Sequence, residues 1–350
     1  MELNIIIQEA VRSAASDIFI LAGFPVSIKA KGELSSLNDE KLLPEKAGQI
    51  IERIYMLAKR PMDKLLNTGD DDFSFAVAGL SRFRVSTYKQ RGSLAAVIRI
   101  ISFGIPDYRE IGIPEGVMDI ASRTKGLVLV TGPAGGGKTT TLACMIDRIN
   151  ETRTGHIITL EEPIEYLHRN KKSVVSQREI ELDTESYLKA LSACLRQAPD
   201  VILVGEMRDF ETIRTAMTAA ETGHLVISTL HTLGAANSID RIVDVFPPGQ
   251  QQQIRIQLAM ILQSVVSQQL VPGIDGKMVP VFEIMHMTAA SRTLVREAKT
   301  HQINALIASS ATDGMISMDS NLSRLCNEGA ITRETAIRFS IVPEALEKRL

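Results

Sequence analysis

The chain has 350 residues, of which 45% are apolar and 23% are charged, and its formal net charge is −2. This length allows two domains with cores of their own, and the composition excludes a disordered or coiled-coil chain. The nearly balanced charge excludes an overall positive field of the kind that attracts nucleic acid or an anionic membrane.

The first part of the chain predicts a unit of helices and antiparallel strands. Apolar residues recur at helical spacing over residues 2–15 and again over residues 47–57, which predicts two amphipathic helices. Phe73, Phe75 and Val77 alternate strictly, and apolar residues recur at alternate positions of the two segments that follow, as they do in a half-buried antiparallel sheet. The strands are predicted over residues 17–21, 26–31, 73–77, 83–85 and 94–100. We therefore expect an N-terminal α+β domain over residues 1–103.

Glycines and prolines over residues 104–118 predict a linker after this domain. Beyond it, apolar strands alternate with helical patterns, which is typical of an α/β domain with a mostly parallel sheet, expected over residues 119–285. Its strands are predicted over residues 127–131, 156–160, 201–204 and 225–229, and its helices over residues 138–150, 185–197 and 209–222. The remainder, residues 286–350, predicts short helices over residues 288–298, 301–309, 317–327 and 332–339.

A glycine-rich segment directly follows the apolar run of residues 127–130. It reads GPAGGGKT and matches the pattern G-x-x-x-x-G-K-[ST] in full, in the strand-loop-helix setting of a phosphate-binding loop. In such a loop the backbone N–H groups point at the phosphates, Lys138 reaches the β- and γ-oxygens, and the Thr139 hydroxyl ligates Mg²⁺. An ordinary glycine-rich turn is the alternative. The predicted nucleotide-binding residues are Gly132, Pro133, Ala134, Gly135, Gly136, Gly137, Lys138, Thr139 and Thr140.

Acidic residues follow two further predicted strands. Glu206 comes just after the strand of residues 201–204, an arrangement that presents a carboxylate to Mg²⁺ beside a phosphate-binding loop. Glu161, Glu162 and Glu165 crowd negative charge beyond another strand, and one of them is a candidate general base for an attacking water. A solvated acidic loop is the alternative for these three.

Histidine and arginine supply the remaining candidates. His231 closes the strand of residues 225–229, at the edge where α/β proteins bind ligands, and we expect it either to sense a γ-phosphate or to be a structural histidine. Arg82 and Arg84 share one face of their strand, and Arg99 lies on a neighbouring strand. These arginines indicate either a solvated sheet face or arginine fingers that reach phosphate across a subunit interface.

Four blocks, taken in this order, resemble the secretion ATPase superfamily of type II and type IV pilus systems. They are the loop of residues 132–139, the acidic box LEEPIE of residues 160–165, the segment PDVILVGEMR of residues 199–208, and the segment TGHLVISTLHT of residues 222–232. Further segments resemble the pilus retraction (PilT-like) branch of that superfamily, so that the resemblance covers nearly the whole chain. These segments are residues 16–20, 82–85, 239–247 and 267–270.

The resemblance implies a ring-shaped hexamer whose protomers have a PAS-like N-terminal domain and a RecA-like P-loop domain. It also implies that Glu165 is the catalytic carboxylate, that Glu206 lies near the metal and water, and that His231 is the histidine-box residue. Arginines at the protomer interface would meet the nucleotide or its surroundings. They are Arg84, Arg99 and Arg196.

The chain departs from the family pattern at three positions. Glu162 stands where relatives usually have aspartate, and Ser192 stands where many have an arginine. Ser291 lies in the segment ASRTLVRE of residues 290–297, which corresponds to the family motif AIRNLIRE. The resemblance implies hydrolysis of Mg-ATP that powers pilus retraction, with an inner-membrane pilus platform protein as partner. An extension or secretion ATPase of the same superfamily is one alternative, and a weakly hydrolysing accessory nucleotide-binding ring is another.

The sequence also bears on location. Cys144, Cys194 and Cys326 are isolated in sequence, which fits reduced thiols and offers no paired ligands for zinc. The start of the chain has no basic segment before an apolar run, and no apolar run is long enough to span a membrane. We expect a cytoplasmic protein at the inner face of the cell membrane, with membrane contact only through partners and no nucleic acid bound.

Overall fold

The structure, a computed structural model, describes residues 2–30, 32–77, 79–101, 104–310 and 314–350. The chain forms two compact units. The first comprises Met1–Gly104 together with Glu165–Leu167, and the second comprises Ile105–Ile164 and His168–Leu350. The finer division into a linker over residues 104–118 and a separate helical region over residues 286–350 stays a prediction.

The first unit is an antiparallel sheet with helices packed on one face. Its helices are α1 (Leu3–Arg12), α2 (Pro44–Leu57) and α3 (Asp63–Thr68). Its strands are β1 (Asp17–Ile20), β2 (Pro25–Ala30), β3 (Glu33–Lys41), β4 (Asp70–Val77), β5 (Ser81–Gln90) and β6 (Ser93–Ile101), in the spatial order β3-β2-β1-β6-β5-β4. Phe83 and Val85 point into the core while Arg84 between them is exposed, as period-two alternation requires. The predicted antiparallel sheet is confirmed.

Strand β3 has no counterpart in the sequence-based prediction. It reads ELSSLNDEK, pairs only with β2 at the edge of the sheet, and has no buried residue. An exposed edge strand of this kind has no apolar face, so its sequence carries no alternation.

The second unit is built on a sheet in the order β13-β12-β7-β11-β10-β8-β9, in which all neighbours are parallel except β12 and β13. Its strands are β7 (Gly126–Thr131), β8 (His156–Glu161), β9 (Val174–Glu179), β10 (Val201–Val204), β11 (Leu225–Leu230), β12 (Leu262–Pro272) and β13 (Met278–His286). Leu127 and Leu129 contribute to one hydrophobic core, and Val128 and Val130 to another. The sheet is thus covered on both faces, which explains its continuous apolar strands.

Helices cover this sheet and extend beyond it. Those that alternate with the strands are α4 (Glu115–Asp119), α5 (Lys138–Thr152), α6 (Tyr187–Cys194), α7 (Phe210–Glu221), α8 (Ala235–Asp244) and α9 (Pro248–Ile261). The last part of the chain forms α10 (Ala289–Arg296), α11 (Ile303–Ser309), α12 (Met318–Asn327), α13 (Arg333–Arg338) and α14 (Pro343–Glu347). The predicted α/β architecture with C-terminal helices is confirmed. No helix in the described part of the chain is both long enough and apolar enough to cross a membrane.

His168, in the connection between β8 and β9, is a half-buried histidine. Its Nδ1 atom has no hydrogen-bond partner in the described structure, and burial lowers the pKa of its imidazole to about 4, against the opposing effect of Asp147. An unfolded histidine has a pKa near 6.5, so the unfolded chain binds this proton first as the pH falls. The stability that His168 contributes is therefore complete above pH 6.5 and is lost progressively towards pH 4.

We expect the His168→Gln variant to flatten this pH dependence. Between pH 7.5 and pH 5 the native chain should lose on the order of 2 kcal/mol more of its free energy of unfolding than the variant does. Urea unfolding at the two pH values measures this difference. His301→Gln, a change at an exposed histidine, is the control. Equal pH dependence in the native chain and in His168→Gln would contradict the assignment.

Candidate nucleotide-binding site

The glycine-rich loop connects β7 to α5. Gly132 has a φ of 141°, and a Cβ atom there would lie 1.9 Å from the backbone oxygen of Gln268 on β12. Gly137 is the N-cap of α5 and has a φ of 84°, in the left-handed region. Both positions require glycine, the first for space and the second for backbone conformation. The loop therefore leads directly to the N-terminus of α5, where free N–H groups and the helix dipole favour phosphate.

Lys138, the first residue of α5, lies within this loop. Its Nζ atom donates hydrogen bonds to the backbone oxygens of Gly132 and Pro133, each at 2.8 Å. Burial lowers the pKa of Lys138, and the nearby carboxylate of Glu206 opposes that shift. Phosphate oxygens accept stronger, charge-assisted hydrogen bonds than neutral carbonyls do. The ammonium group is thus placed where a bound phosphate would gain from it.

Glu206 and His231 come together at the carboxyl ends of neighbouring parallel strands. Glu206 follows β10 and His231 follows β11, which lies between β10 and β7 in the sheet. The Glu206 carboxylate accepts from Nε of Arg208 at 2.7 Å and lies 3.5 Å from Nε2 of His231, a long contact that contributes little as a hydrogen bond. Because the glycine-rich loop follows β7, three of the predicted site segments share one edge of the sheet.

The three carboxylates of the acidic box lie in different surroundings. Glu161 is buried at the end of β8, where its Oε1 accepts from Oγ1 of Thr159 at 2.5 Å and from Nε2 of Gln177 at 3.1 Å. Glu162 and Glu165 are exposed, and Glu165 belongs to the first compact unit. Glu161 is therefore held within the sheet, whereas Glu162 and Glu165 face solvent, and the general-base role predicted for this box stays a prediction.

Tyr187, the first residue of α6, is a neighbour of this acidic region that the sequence analysis missed. Burial raises the pKa of its phenol, and the carboxylates of Glu206, Glu162 and Glu161 raise it further. Its hydroxyl oxygen lies close to the backbone of Gly205, 2.9 Å from where a Cβ atom would stand. A tyrosine at the start of a helix carries no motif, so only the folded chain reveals its place among the acids.

The predicted arginines are divided between the two units. Arg84 on β5 and Arg99 on β6 form a cross-strand pair on the exposed face of the first sheet. The Nε atom of Arg99 donates to Oδ1 of Asp17 at 3.1 Å, whereas the side chain of Arg84 has no hydrogen bond or ion pair within the described residues. Arg196 follows α6 in the second unit and is exposed. Like charges directly opposite each other destabilise a sheet, but the Asp17 carboxylate offsets the charge of Arg99 in this pair.

The predicted magnesium ligands fit an ion that arrives with a nucleotide. In the described residues no group of three or more histidine, cysteine, aspartate or glutamate side chains could hold a metal by themselves. The candidates are the hydroxyl of half-buried Thr139 and the carboxylate of Glu206. Mg²⁺ usually keeps several waters and takes its other ligands from one or two carboxylates and the substrate phosphates. Two protein oxygen donors therefore suit Mg²⁺ bound to ATP.

One departure from the family pattern has a structural role. Ser291 is fully buried, and its Oγ accepts from the backbone N–H of Thr288 at 2.7 Å while the Thr288 side chain accepts from the N–H of Ser291. This reciprocal pair is a capping box for α10. Nothing in the structure explains the departures at Glu162 and Ser192.

Comparisons with known proteins identify the family to which this chain is similar. The profile of the family described as Type II/IV secretion system protein matches residues 1–313. The type IV pilus retraction ATPase PilT of Pseudomonas aeruginosa is 42% identical over 348 residues, which cover 98% of this chain and 99% of that protein. A twitching motility protein of Neisseria gonorrhoeae is 42% identical over 337 residues, 96% of this chain and 89% of its own.

A solved structure has the same fold as this chain. The crystal structure of the pilus retraction motor PilT with bound ADP matches with a TM-score of 0.91 and 45% identity, and covers 99% of both chains. The agreement includes the antiparallel N-terminal sheet, the parallel sheet and the C-terminal helices.

Proposed function

The chain belongs to the Type II/IV secretion system protein family, and from that membership we propose that it hydrolyses ATP to power the retraction of a type IV pilus. Full-length identity of 42% with a pilus retraction ATPase carries this proposal. It is supported by the site itself, in which the loop of residues 132–139, Glu206 and His231 follow the carboxyl ends of β7, β10 and β11. Open α/β sheets bind their ligands at this edge.

We assign the chemistry as follows. The backbone N–H groups of the loop and the Lys138 ammonium hold the β- and γ-phosphates. Thr139 and Glu206 would hold Mg²⁺, which neutralises charge that develops on the phosphates. Glu165 accepts the proton of the attacking water, and His231 registers whether the γ-phosphate is present.

We further propose a cytoplasmic homohexamer that binds nucleotide between protomers. Arg84, Arg99 and Arg196 are then the residues with which protomers meet the nucleotide or its surroundings. The γ-phosphate stabilises one arrangement of the domains, and its loss allows a second arrangement. This movement acts on an inner-membrane platform protein at the pilus base. This partner would provide the contact with the membrane.

Steady-state phosphate release by the purified full-length chain tests the proposed ATPase activity. The pilus phenotype of a deletion strain tests the direction of force. We expect Mg-dependent release and pili that fail to retract. Negligible release would favour the weakly hydrolysing accessory ring, and loss of pilus assembly or secretion would favour an extension or secretion motor.

Glu206→Gln and Glu165→Gln should separate binding from chemistry. Both carboxylates are proposed to act on the water or the metal rather than on the nucleotide, so the affinity for ADP should stay the same while kcat falls by roughly 10²-fold or more. Calorimetric titration with ADP and the phosphate-release rate give the two quantities. Glu211→Gln, at an exposed position on α7, is the matched control. A variant that lost affinity but kept kcat would refute its assignment.

A further inference from the structure

Strand β12 forms the floor of the phosphate-binding loop at Gln268. This strand pairs with β7, and Gln268 is only 3% exposed. Its backbone oxygen lies 1.9 Å from where a Cβ atom of Gly132 would stand and 3.2 Å from the same point on Gly136. Gly132 and Gly136 therefore both pack against the same peptide group, that of Gln268 on β12.

The side chain of Gln268 reaches the first turn of α5 from the same side. Its Oε1 accepts from Oγ1 of Thr141 at 2.6 Å, and Thr141 is fully buried. Its Nε2 lies 2.7 Å from where a Cβ atom of Gly137 would stand, directly against the N-cap of the helix. The backbone N–H of Thr141 donates to the oxygen of Gly137 at 3.1 Å and closes the same turn. One amide group thus spans the first turn of α5, on which Lys138 and Thr139 are carried.

We propose that Gln268 is a positioning residue of the nucleotide site, which holds the loop and the first turn of α5 in the geometry that binds phosphate. The inference rests on the proposed ATPase function. Phosphate affinity comes from several N–H groups aimed at one point. A small change in the loop's shape should therefore weaken phosphate binding more than it destabilises the fold. Losing the amide would leave the Thr141 hydroxyl buried without its acceptor and would free the turn to relax.

The next residue on β12 supplies a matched control. Gln269 is also buried, and its Nε2 donates to the backbone oxygen of Phe339 at 2.9 Å. Because side chains alternate along a strand, Gln269 points away from the side on which Gln268 meets the loop. Gln268→Leu and Gln269→Leu each remove one buried amide. Only Gln268→Leu removes an amide that contacts the phosphate-binding loop.

The test compares Gln268→Leu and Gln269→Leu in the full-length chain. We expect Gln268→Leu to raise the Kd for ADP and the KM for ATP by about tenfold, the effect of one lost buried hydrogen bond, and Gln269→Leu to leave both within about twofold. The increase in Tm on adding ADP should shrink in the first variant only. If both variants bound ADP equally, Gln268 would be a structural residue and the inference would be wrong.

Thr141 provides a second arm that does not depend on substitution at position 268. Thr141→Val should reproduce the loss of ADP affinity, Thr141→Ser should restore the native value, and the double variant Gln268→Leu/Thr141→Val should lose no more than either single change. Native affinity in Thr141→Val would overturn the inference even if Gln268→Leu did not fold. Failure of the native chain to bind ADP would instead overturn the proposed function, on which the inference rests.

Discussion

The Lys138→Ala variant is expected to lose ATP turnover while both units of the chain stay folded. The ammonium of Lys138 is the cation placed within the loop, and its loss leaves the β- and γ-phosphates without that charge. Burial lowers the pKa of Lys138, which means that the folded chain bears a cost for keeping the cation out of water. The change relieves this cost but also removes two hydrogen bonds to backbone oxygens of the loop, so the net change in Tm should be small. Phosphate release and thermal unfolding on the same preparation measure the two effects.

Lys171→Ala is the control for this result. Lys171 also lies against α5, where its Nζ contacts Asp147 and Glu151, but it is outside the loop and partly exposed. Its loss should leave turnover near the native value. Native turnover in Lys138→Ala would remove the phosphate-binding loop from the mechanism, and unfolding of that variant would contradict the expectation that the fold stays intact.

The Arg84→Ala variant is expected to lose up to about 10³-fold in kcat if Arg84 acts as an arginine finger. Its effect on stability should be small, because Arg84 is exposed and its side chain has no hydrogen bond or ion pair within the described residues. A loss of activity without a loss of Tm distinguishes a phosphate-contacting arginine from a residue of the solvated sheet face. Lys29→Ala, an exposed cation on β2 of the same sheet, is the control and should keep native kcat.

Mixed rings decide whether a neighbouring protomer supplies this arginine. A protomer with Arg84→Ala keeps an intact phosphate-binding loop, and a protomer with Lys138→Ala keeps an intact Arg84. If the site is shared, mixtures should recover part of the activity that either pure variant lacks. No recovery would place both residues in the same protomer's site, and full activity in a demonstrably monomeric preparation would rule out the shared site and the ring mechanism with it.

Several features of this protein were determined by the sequence alone. The phosphate-binding loop is a contiguous motif, and the strands before it and before Glu206 are short continuous apolar runs, which are typical of a buried parallel sheet. The antiparallel sheet of the first unit was predictable from apolar residues at alternate positions of β4, β5 and β6, such as Phe73 and Phe75 on β4 and Phe83 and Val85 on β5. These signals are local, because they depend on residues within one turn, one strand or one helix. The roles of Glu165, Arg84, Arg99 and Arg196 stay predictions.

Other features were decided only by the tertiary structure. Gln268 meets Thr141 across 127 positions of the chain, and the phenol of Tyr187 feels the carboxylates of two separate segments, Glu161–Glu162 and Glu206. Strand β12 was missed because its polar residues are buried against the loop and the helices, so that its pattern is neither apolar nor alternating. A buried polar side chain has no periodic signature of its own. Its place is fixed by the hydrogen-bond partner that compensates its lost hydration, and that partner is brought near only when the chain folds.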